Sequence, residues 1–465
     1  MDPAESPLFT DLYQLNMMQA YLDRGDMETA VFEFFVRTLP PRRGFLLAAG
    51  LEQALDYLEN LRFTAADIAW LGSTGRFKQN LLDYLAALRF DGDVHAVPEG
   101  TAFFAHEPIL RVTAPMPVAQ FVETRLINIL HFQCLVAAKA ARCVLAAAGK
   151  LLVDFGFRRA HGAEAGLMAA RASFLAGFAG TATVLAGEKF GIPLYGTMAH
   201  SYIESFGDEA EAFETFARAR PDNLTLLLDT YDTEAAARKV VALAPRLKAA
   251  GIAIRSVRLD SGDLVALSRS VRDILDRGGL AEVAIFASGG LDEDSLAALA
   301  RERAPIAGYG IGTSLTTSAD VPNVDCVYKL QEYAGLPRRK LSANKATWPG
   351  RKQMWRRYGD DGRMLADTLA LEISSSRVAA GEAGQGAGEP LVHPVMRNGR
   401  RLSPPEPLAA IKQRAKRELE RLPEPLRRLD PDATYPVEIG RDLRELAAAV
   451  DRRVQSSLAR SKGSQ

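Results

Sequence analysis

The chain reads as an α/β protein, and three observations carry that reading. From Leu151 onward, short apolar runs alternate with polar turns and helical segments; every run ends in polar or glycine-rich residues; and the stretch before it mixes helix and strand patterns without repeating a unit. The run ends are LLVDFGFRRAHG (151–162), PLYGTMAHS (193–201), LTLLLDTYDT (224–233), VRLDSGDL (257–264), AIFASGGLDE (284–293) and IAGYGIGTSL (306–315). Such βα repetition gives parallel strands with covering helices. An α/β barrel builds its site at the carboxyl ends of all its strands, whereas an open doubly wound sheet gathers it at one switch point. Chemistry at every strand end therefore favours an irregular, TIM-like α/β barrel. The domain expectation is an N-terminal α/β domain over 1–135, completed by 325–400, a barrel over 136–324 and a helical C-terminal extension over 401–465.

The whole-chain numbers exclude several classes. With 465 residues the chain can bury more than one core. Its 57 basic residues balance 57 acidic ones, which argues against a nucleic-acid binder that relies on neutralising phosphates. Cys134, Cys143 and Cys326 are three in number and lack metal-ligand spacing, so they read as buried thiols in a reducing cytoplasm. The start, MDPAESP, has no apolar run, and no signal peptide or membrane span is expected.

Phe9–Asp23 has helical spacing, with Thr10 as cap and Gly25 as stop. Thr29–Thr38 alternates as a half-buried strand, with Ala30, Phe32, Phe34 and Val36 on the inner face. Helices are expected over 50–60, 64–71 and 77–89, and short strands over 93–97, 101–104 and 109–112. From Pro117 to Gly149 runs one long apolar helix, interrupted by Glu123, Arg125, Lys139 and Arg142 too often for a bilayer core. Ile192–Tyr195 reads as a buried strand that turns at Gly196 and delivers Thr197, His200 and Ser201 into a loop. Lys340–Tyr358 is basic, with Trp348 and Trp355 interleaved, and fits a charged hairpin over an anion or, alternatively, RNA. Ala379–Glu389 is a flexible Gly/Ala loop. Residues 404–422 and 440–457 read as two charged helices.

Within this frame the candidate residues follow from chemistry. A neutral imidazole at His200 can serve as base, metal ligand or phosphoryl acceptor, or it can do no more than hydrogen-bond. Ser288, Gly289 and Gly290, then Gly312 and Thr313, form two glycine turns before helix starts, where backbone N–H groups can cradle a phosphate. Neither turn matches a Walker loop. Asp260 and Asp263 suit ribose hydroxyls or a magnesium ion bridging phosphates, with Asp263 alternatively a helix cap. Arg158, Arg159 and Arg258 bring positive charge suited to a carboxylate or phosphate. Tyr13, close to the apolar stripe of its helix, reads as a core tyrosine.

Seven stretches, in order, resemble the nicotinate phosphoribosyltransferase family: TDLYQLNMMQAY (10–21), FRRAHG (157–162), GTMAHS (196–201), RLDSGDL (258–264), FASGGLDE (286–293), GYGIGTSL (308–315) and KLSANKATWPGRKQ (340–353). The resemblance implies a sandwich-like N-terminal α/β domain beside an irregular barrel, in a homodimer with the site near the interface. It implies formation of nicotinate mononucleotide and pyrophosphate from nicotinate and phosphoribosyl pyrophosphate, in NAD salvage. ATP hydrolysis would be coupled to the reaction, and magnesium would be the cofactor. Carried onto this sequence, His200 is similar to the family's phosphorylated histidine, Tyr13, Arg158, Thr197 and Arg258 fall among nicotinate contacts, and Thr313 matches a phosphoribosyl contact. The segment beyond about residue 370 offers no motif that aligns.

Rival readings stay open at this point. Nicotinamide or quinolinate could replace nicotinate as acceptor. An aldolase or isomerase on the same barrel would want a lysine, which these strand ends lack. A nucleotide sensor or RNA-binding protein would use the basic hairpin.

Overall fold

The computed structural model describes residues 6–342, 346–374 and 388–462. Ala343–Lys345 of the basic stretch and residues 379–387 of the Gly/Ala loop lie outside them. The chain forms two compact units, one from Met1–Leu135 with Asn323–Gln465, the other from Val136–Pro322.

The second unit is built on six parallel strands: β1 (Leu151–Asp154), β2 (Gly180–Thr181), β3 (Leu224–Leu227), β4 (Ile254–Leu259), β5 (Ala284–Ala287) and β6 (Gly308–Ile311). Their order is β2-β1-β6-β5-β4-β3, a curled parallel sheet amounting to half a barrel. Apolar residues such as Val153, Leu226, Val257, Ile285 and Ile311 are buried along these strands, as expected of parallel strands covered by helices. The helices that follow β3, β4 and β5 each begin with a side chain that accepts from otherwise unpaired N–H groups: Asp232 caps Thr233–Ala249, Asp263 caps Leu264–Arg277, and Asp292 with Ser295 forms a capping box on Glu293–Arg301.

Two expectations change here. Ile192–Tyr195 is not a strand; it contributes one parallel bridge, Thr181 to Leu194, and Leu194 is exposed. The strand at this place is β2, two residues long and followed by AlaThr, where no apolar run announces it. His200 is the first residue of a short helix, His200–Glu204, and not part of a preceding loop.

The first unit holds a seven-stranded sheet in which Thr29–Val36 lies between Pro108–Pro115 and Cys326–Tyr333, antiparallel to both. That central place explains why Thr29–Val36 is buried on both faces instead of one: Val31, Glu33 and Phe35 are inside along with Ala30, Phe32, Phe34 and Val36. Glu33 is tolerated there because the Lys352 ammonium sits 2.7 Å away. The expected first helix is Leu12–Arg24, with Asp11 in place of Thr10 at the cap position and Gly25 closing it at φ 79°. The long apolar helix is two pieces, Met116–Phe121 and Glu123–Ala146, and most of its apolar surface is buried. It is long and apolar enough to cross a membrane by length and composition alone.

Lys352–Tyr358 pairs with Met364–Leu371 in a four-stranded sheet. It is no solvated basic hairpin. Lys352, Trp355 and Arg356 are buried, and Arg356 is 0% exposed, held by Asp367 at 2.6 Å and Glu418 at 2.8 Å. The charged helices of the C-terminal segment are Leu408–Arg421 and Arg441–Lys462, preceded by the strands Glu389–Pro390, His393–Arg397 and Arg400–Arg401. All three cysteines are free, and burial pushes the Cys134 thiol up to about 12 and the Cys326 thiol up to about 11.

Candidate active site

The carboxyl ends of β4 and β5 and the chain leading to His200 meet at Arg258. Its Nε donates to Ser288 Oγ (2.8 Å), one terminal nitrogen donates to Thr197 Oγ1 (3.1 Å) and the Met198 carbonyl (3.4 Å), and the other donates to Asp260 Oδ1 (2.7 Å). The guanidinium also lies 5.6 Å from the centre of the Phe155 ring. A guanidinium has five N–H groups, and these bonds engage four of them. A ligand therefore meets one remaining N–H and a fixed positive charge, not an open fork.

Asp260 accepts from both Arg258 and the Ser288 hydroxyl. Burial alone would raise its carboxyl, but the Ser288 hydrogen bond and the Arg258 charge outweigh it and hold the group below the usual carboxylate range. The Asp260 backbone N–H donates to Asp229 Oδ2 at 3.2 Å, and the Ser261 hydroxyl donates to the same oxygen at 2.5 Å. The other Asp229 oxygen faces His200 Nε2 at 3.4 Å. Thus His200, Asp229, Asp260, Arg258, Ser288 and Thr197 form one connected polar cluster. Asp229 is the member that the motif reading passed over. The signal for it was present: LLLDT, LLVDF and VRLDS all end an apolar strand in aspartate.

Asp154, at the end of β1, plays a different part. It is buried, its Oδ1 accepts from the Gly156 N–H (2.8 Å), and its Oδ2 accepts from Thr181 (2.7 Å). Burial raises its carboxyl, and those two hydrogen bonds offset only part of the rise. It fixes the turn Phe157–Arg159, on which Arg158 and Arg159 are exposed and have no side-chain partner among the described residues.

The two glycine turns are also in place. Gly289 has φ 92°, and a Cβ there would lie 1.8 Å from the Asp260 carbonyl oxygen, so only glycine fits. Gly290, at φ 66°, and Thr313 are exposed. Gly312 precedes the single helical turn Thr313–Thr316, and the Ser314 hydroxyl donates to the Leu291 carbonyl at 2.6 Å, which ties the two turns together. The helix start after Gly290 is already occupied by the Asp292 cap, so an anion cradle at this turn consists of backbone N–H groups without that helix end. Asp263 accepts from the Val265 and Ala266 N–H groups at 3.0 and 3.1 Å, and of its two readings the cap is the one seen. Tyr13 belongs to the first unit and is exposed, not a core tyrosine; its hydroxyl donates to Glu123 at 3.2 Å, and partial desolvation and then the Glu123 charge raise its phenol.

A curled parallel sheet with an arginine, carboxylates, hydroxyls and glycine turns at the carboxyl ends of its strands defines an α/β enzyme for small anionic substrates. Three family descriptions match successive parts of the chain: the nicotinate phosphoribosyltransferase N-terminal domain over residues 8–131, the nicotinate phosphoribosyltransferase family over 151–337, and the nicotinate phosphoribosyltransferase C-terminal domain over 385–447. The last match covers a segment in which the sequence shows no recognisable motif. The chain is 46% identical over 435 residues to nicotinate phosphoribosyltransferase pncB2 of Mycobacterium tuberculosis, covering 93% of this chain and 91% of that one. It is 33% identical to the nicotinate phosphoribosyltransferase of Bos taurus over 97% of each chain. Among solved structures it is similar to human nicotinic acid phosphoribosyltransferase, with a TM-score of 0.85, 31% identity, and coverage of 95% of this chain and 99% of that one. The chain belongs to the nicotinate phosphoribosyltransferase family.

Proposed function

We propose that this protein joins nicotinate to phosphoribosyl pyrophosphate, giving nicotinate mononucleotide and pyrophosphate for NAD salvage. The observation that carries the reading is the Arg258 cluster at the strand ends of a family member: a cation fixed by Ser288, Thr197 and Asp260, beside two glycine turns joined by Ser314. The nicotinate carboxylate takes the remaining Arg258 N–H and its charge, with Arg158 and Thr197 as further contacts. The 5′-phosphate sits on the backbone of Ser288, Gly289, Gly290, Gly312 and Thr313.

The pyridine nitrogen attacks the anomeric carbon, forming the N–C bond as the C–O bond to pyrophosphate breaks. No general base is required, because that nitrogen carries no proton. Charge accumulates on the departing pyrophosphate, and the exposed Arg159 is the basic group assigned to meet it. A magnesium ion fits the donor set. Asp260 Oδ1 is engaged, whereas its Oδ2 accepts nothing among the described residues, and magnesium commonly takes one or two carboxylates plus substrate phosphates. Asp260 would hold it, and bound there it neutralises phosphate charge.

ATP enters as a co-substrate that phosphorylates His200 with release of ADP, and water cleaves the phosphohistidine to inorganic phosphate after the nucleotide has formed. With Nε2 turned to Asp229, Nδ1 is the ring nitrogen that accepts the phosphoryl group, while Asp229 orients the ring. An irregular barrel, a homodimer and a cytoplasmic location complete this reading. The Leu194 bridge lies beyond β2 at one edge of the sheet, and β3 forms the other edge.

Pyrophosphate release with nicotinate, nicotinamide or quinolinate, each with and without ATP, tests the proposal. Turnover with nicotinate alone is expected, raised by ATP in the wild type and not in His200→Ala. Nicotinate turnover indifferent to ATP removes the phosphohistidine step. No pyrophosphate from any acceptor removes the transferase.

A further inference from the structure

The residues behind the two glycine turns form a buried charge network that the reaction itself does not use. Lys139 is 2% exposed; its ammonium contacts Glu293 and lies 2.8 Å from Asp320 Oδ1. Arg142, one helical turn further on, donates through Nε to Glu293 Oε1 at 2.9 Å. Glu293 is 1% exposed and is the first residue of its helix, three positions after Gly290. Asp320 follows Thr313 by seven positions, just past the single helical turn that the second glycine loop opens.

Burying two cations and a carboxylate is a poor way to gain stability, since apolar residues of the same volume commonly do as well. What the network does that an apolar cluster cannot is fix direction. One ammonium holds a carboxylate from each loop's trailing segment, and Arg142 fixes the orientation of the Glu293 carboxylate. The front of the loops is joined by a hydrogen bond from the Ser314 hydroxyl to the Leu291 carbonyl. The spacing between the two sets of backbone N–H groups is therefore set from behind by Lys139.

We infer that Lys139 is a positioning residue for phosphate binding: by bridging Glu293 and Asp320 it sets the separation of the two glycine turns, and so tunes affinity for the phosphorylated substrate without touching it. This rests on the proposed phosphoribosyl transfer for the identity of the ligand. A phosphate held by two sets of donors loses affinity when the set at Gly312 and Thr313, which shares no residue with the Arg258 cluster, shifts by a fraction of an ångström.

The test compares wild type, Lys139→Met, Lys139→Arg and Asp320→Asn by steady-state kinetics, thermal melting and calorimetric titration with ribose 5-phosphate, which carries the phosphate assigned to the turns. Lys139→Met is expected to raise the KM for phosphoribosyl pyrophosphate about tenfold, with the nicotinate KM within about twofold, and Lys139→Arg to recover most of the difference. Asp320 is a quarter exposed, so Asp320→Asn should fold even where Lys139→Met does not. It should raise the same KM about threefold and weaken ribose 5-phosphate binding in proportion. Equal KM changes for both substrates, or a folded Asp320→Asn with unchanged KM and ribose 5-phosphate affinity, overturn the inference. A wild type that binds ribose 5-phosphate but turns over no phosphoribosyl pyrophosphate removes the proposed reaction, and the titration of Asp320→Asn still decides the role of the bridge.

Discussion

Arg258 and Arg356 are two arginines in nearly the same company and with different consequences. Each lies 5.6 Å from the centre of a phenylalanine ring, Phe155 for one and Phe104 for the other, and each is paired with an aspartate at 2.6–2.7 Å. Arg258 stands at the carboxyl end of β4, where the chain turns to solvent, with an N–H left over. Arg356 stands in mid-strand, neutralised by two carboxylates and bonded to the Ala102 carbonyl. An arginine's neighbours alone do not say whether it binds a ligand or holds a core. Its place along the strand does.

Three substitutions sharpen or break that contrast. The largest effect is expected from Arg258→Ala, which should lower kcat/KM for nicotinate by about 10²–10³-fold and shift Tm by only a few degrees. A matching collapse of Tm would make Arg258 a structural residue like its counterpart. Arg356→Met should do the reverse. It strands Asp367 and Glu418 in the interior at a cost of about 3–5 kcal/mol, seen as lower soluble yield and a Tm down by roughly 10 °C. The nicotinate KM of the folded fraction should stay within about twofold. The smallest effect concerns Glu107, whose carboxyl is raised well above its ordinary 4.5, first by burial and then by the Asp367 charge. A folded-state value above the unfolded one means a contribution fully present below about pH 4.5 that is lost as pH rises through the folded value. Glu107→Gln should therefore lose less Tm between pH 5 and pH 8 than wild type. Parallel Tm curves across that range would show that Glu107 carries the same charge folded and unfolded.

Much of the second unit was legible because its site residues follow their strands directly. VRLDSGDL and AIFASGGLDE carry strand, turn and cap in one local pattern, and Arg258, Asp260, Ser288 and Gly289 all stand where that pattern puts them. Thr181 was not legible, since β2 has two residues and owes its place to pairing with Val153 and Asp154. The basic stretch around Lys352 and Arg356 misled for the same reason in another form. The acids that neutralise it, Glu33, Asp367 and Glu418, lie 319, 11 and 62 positions away, so a local window sees only uncompensated charge. Asp263 was open to two readings because a carboxylate before a helix suits a cap and a ligand equally.

The place of Thr29–Val36 has one more consequence, for the ribosome rather than for catalysis. One of the two neighbours of this strand, Cys326–Tyr333, is translated almost three hundred residues after it. At about 5–20 residues per second, the growing polypeptide carries an apolar strand with one unpaired edge for roughly 15–60 s, while the whole parallel sheet is being made. A nascent chain in that condition is a natural client for a chaperone, and its yield should depend on how fast translation reaches residue 333.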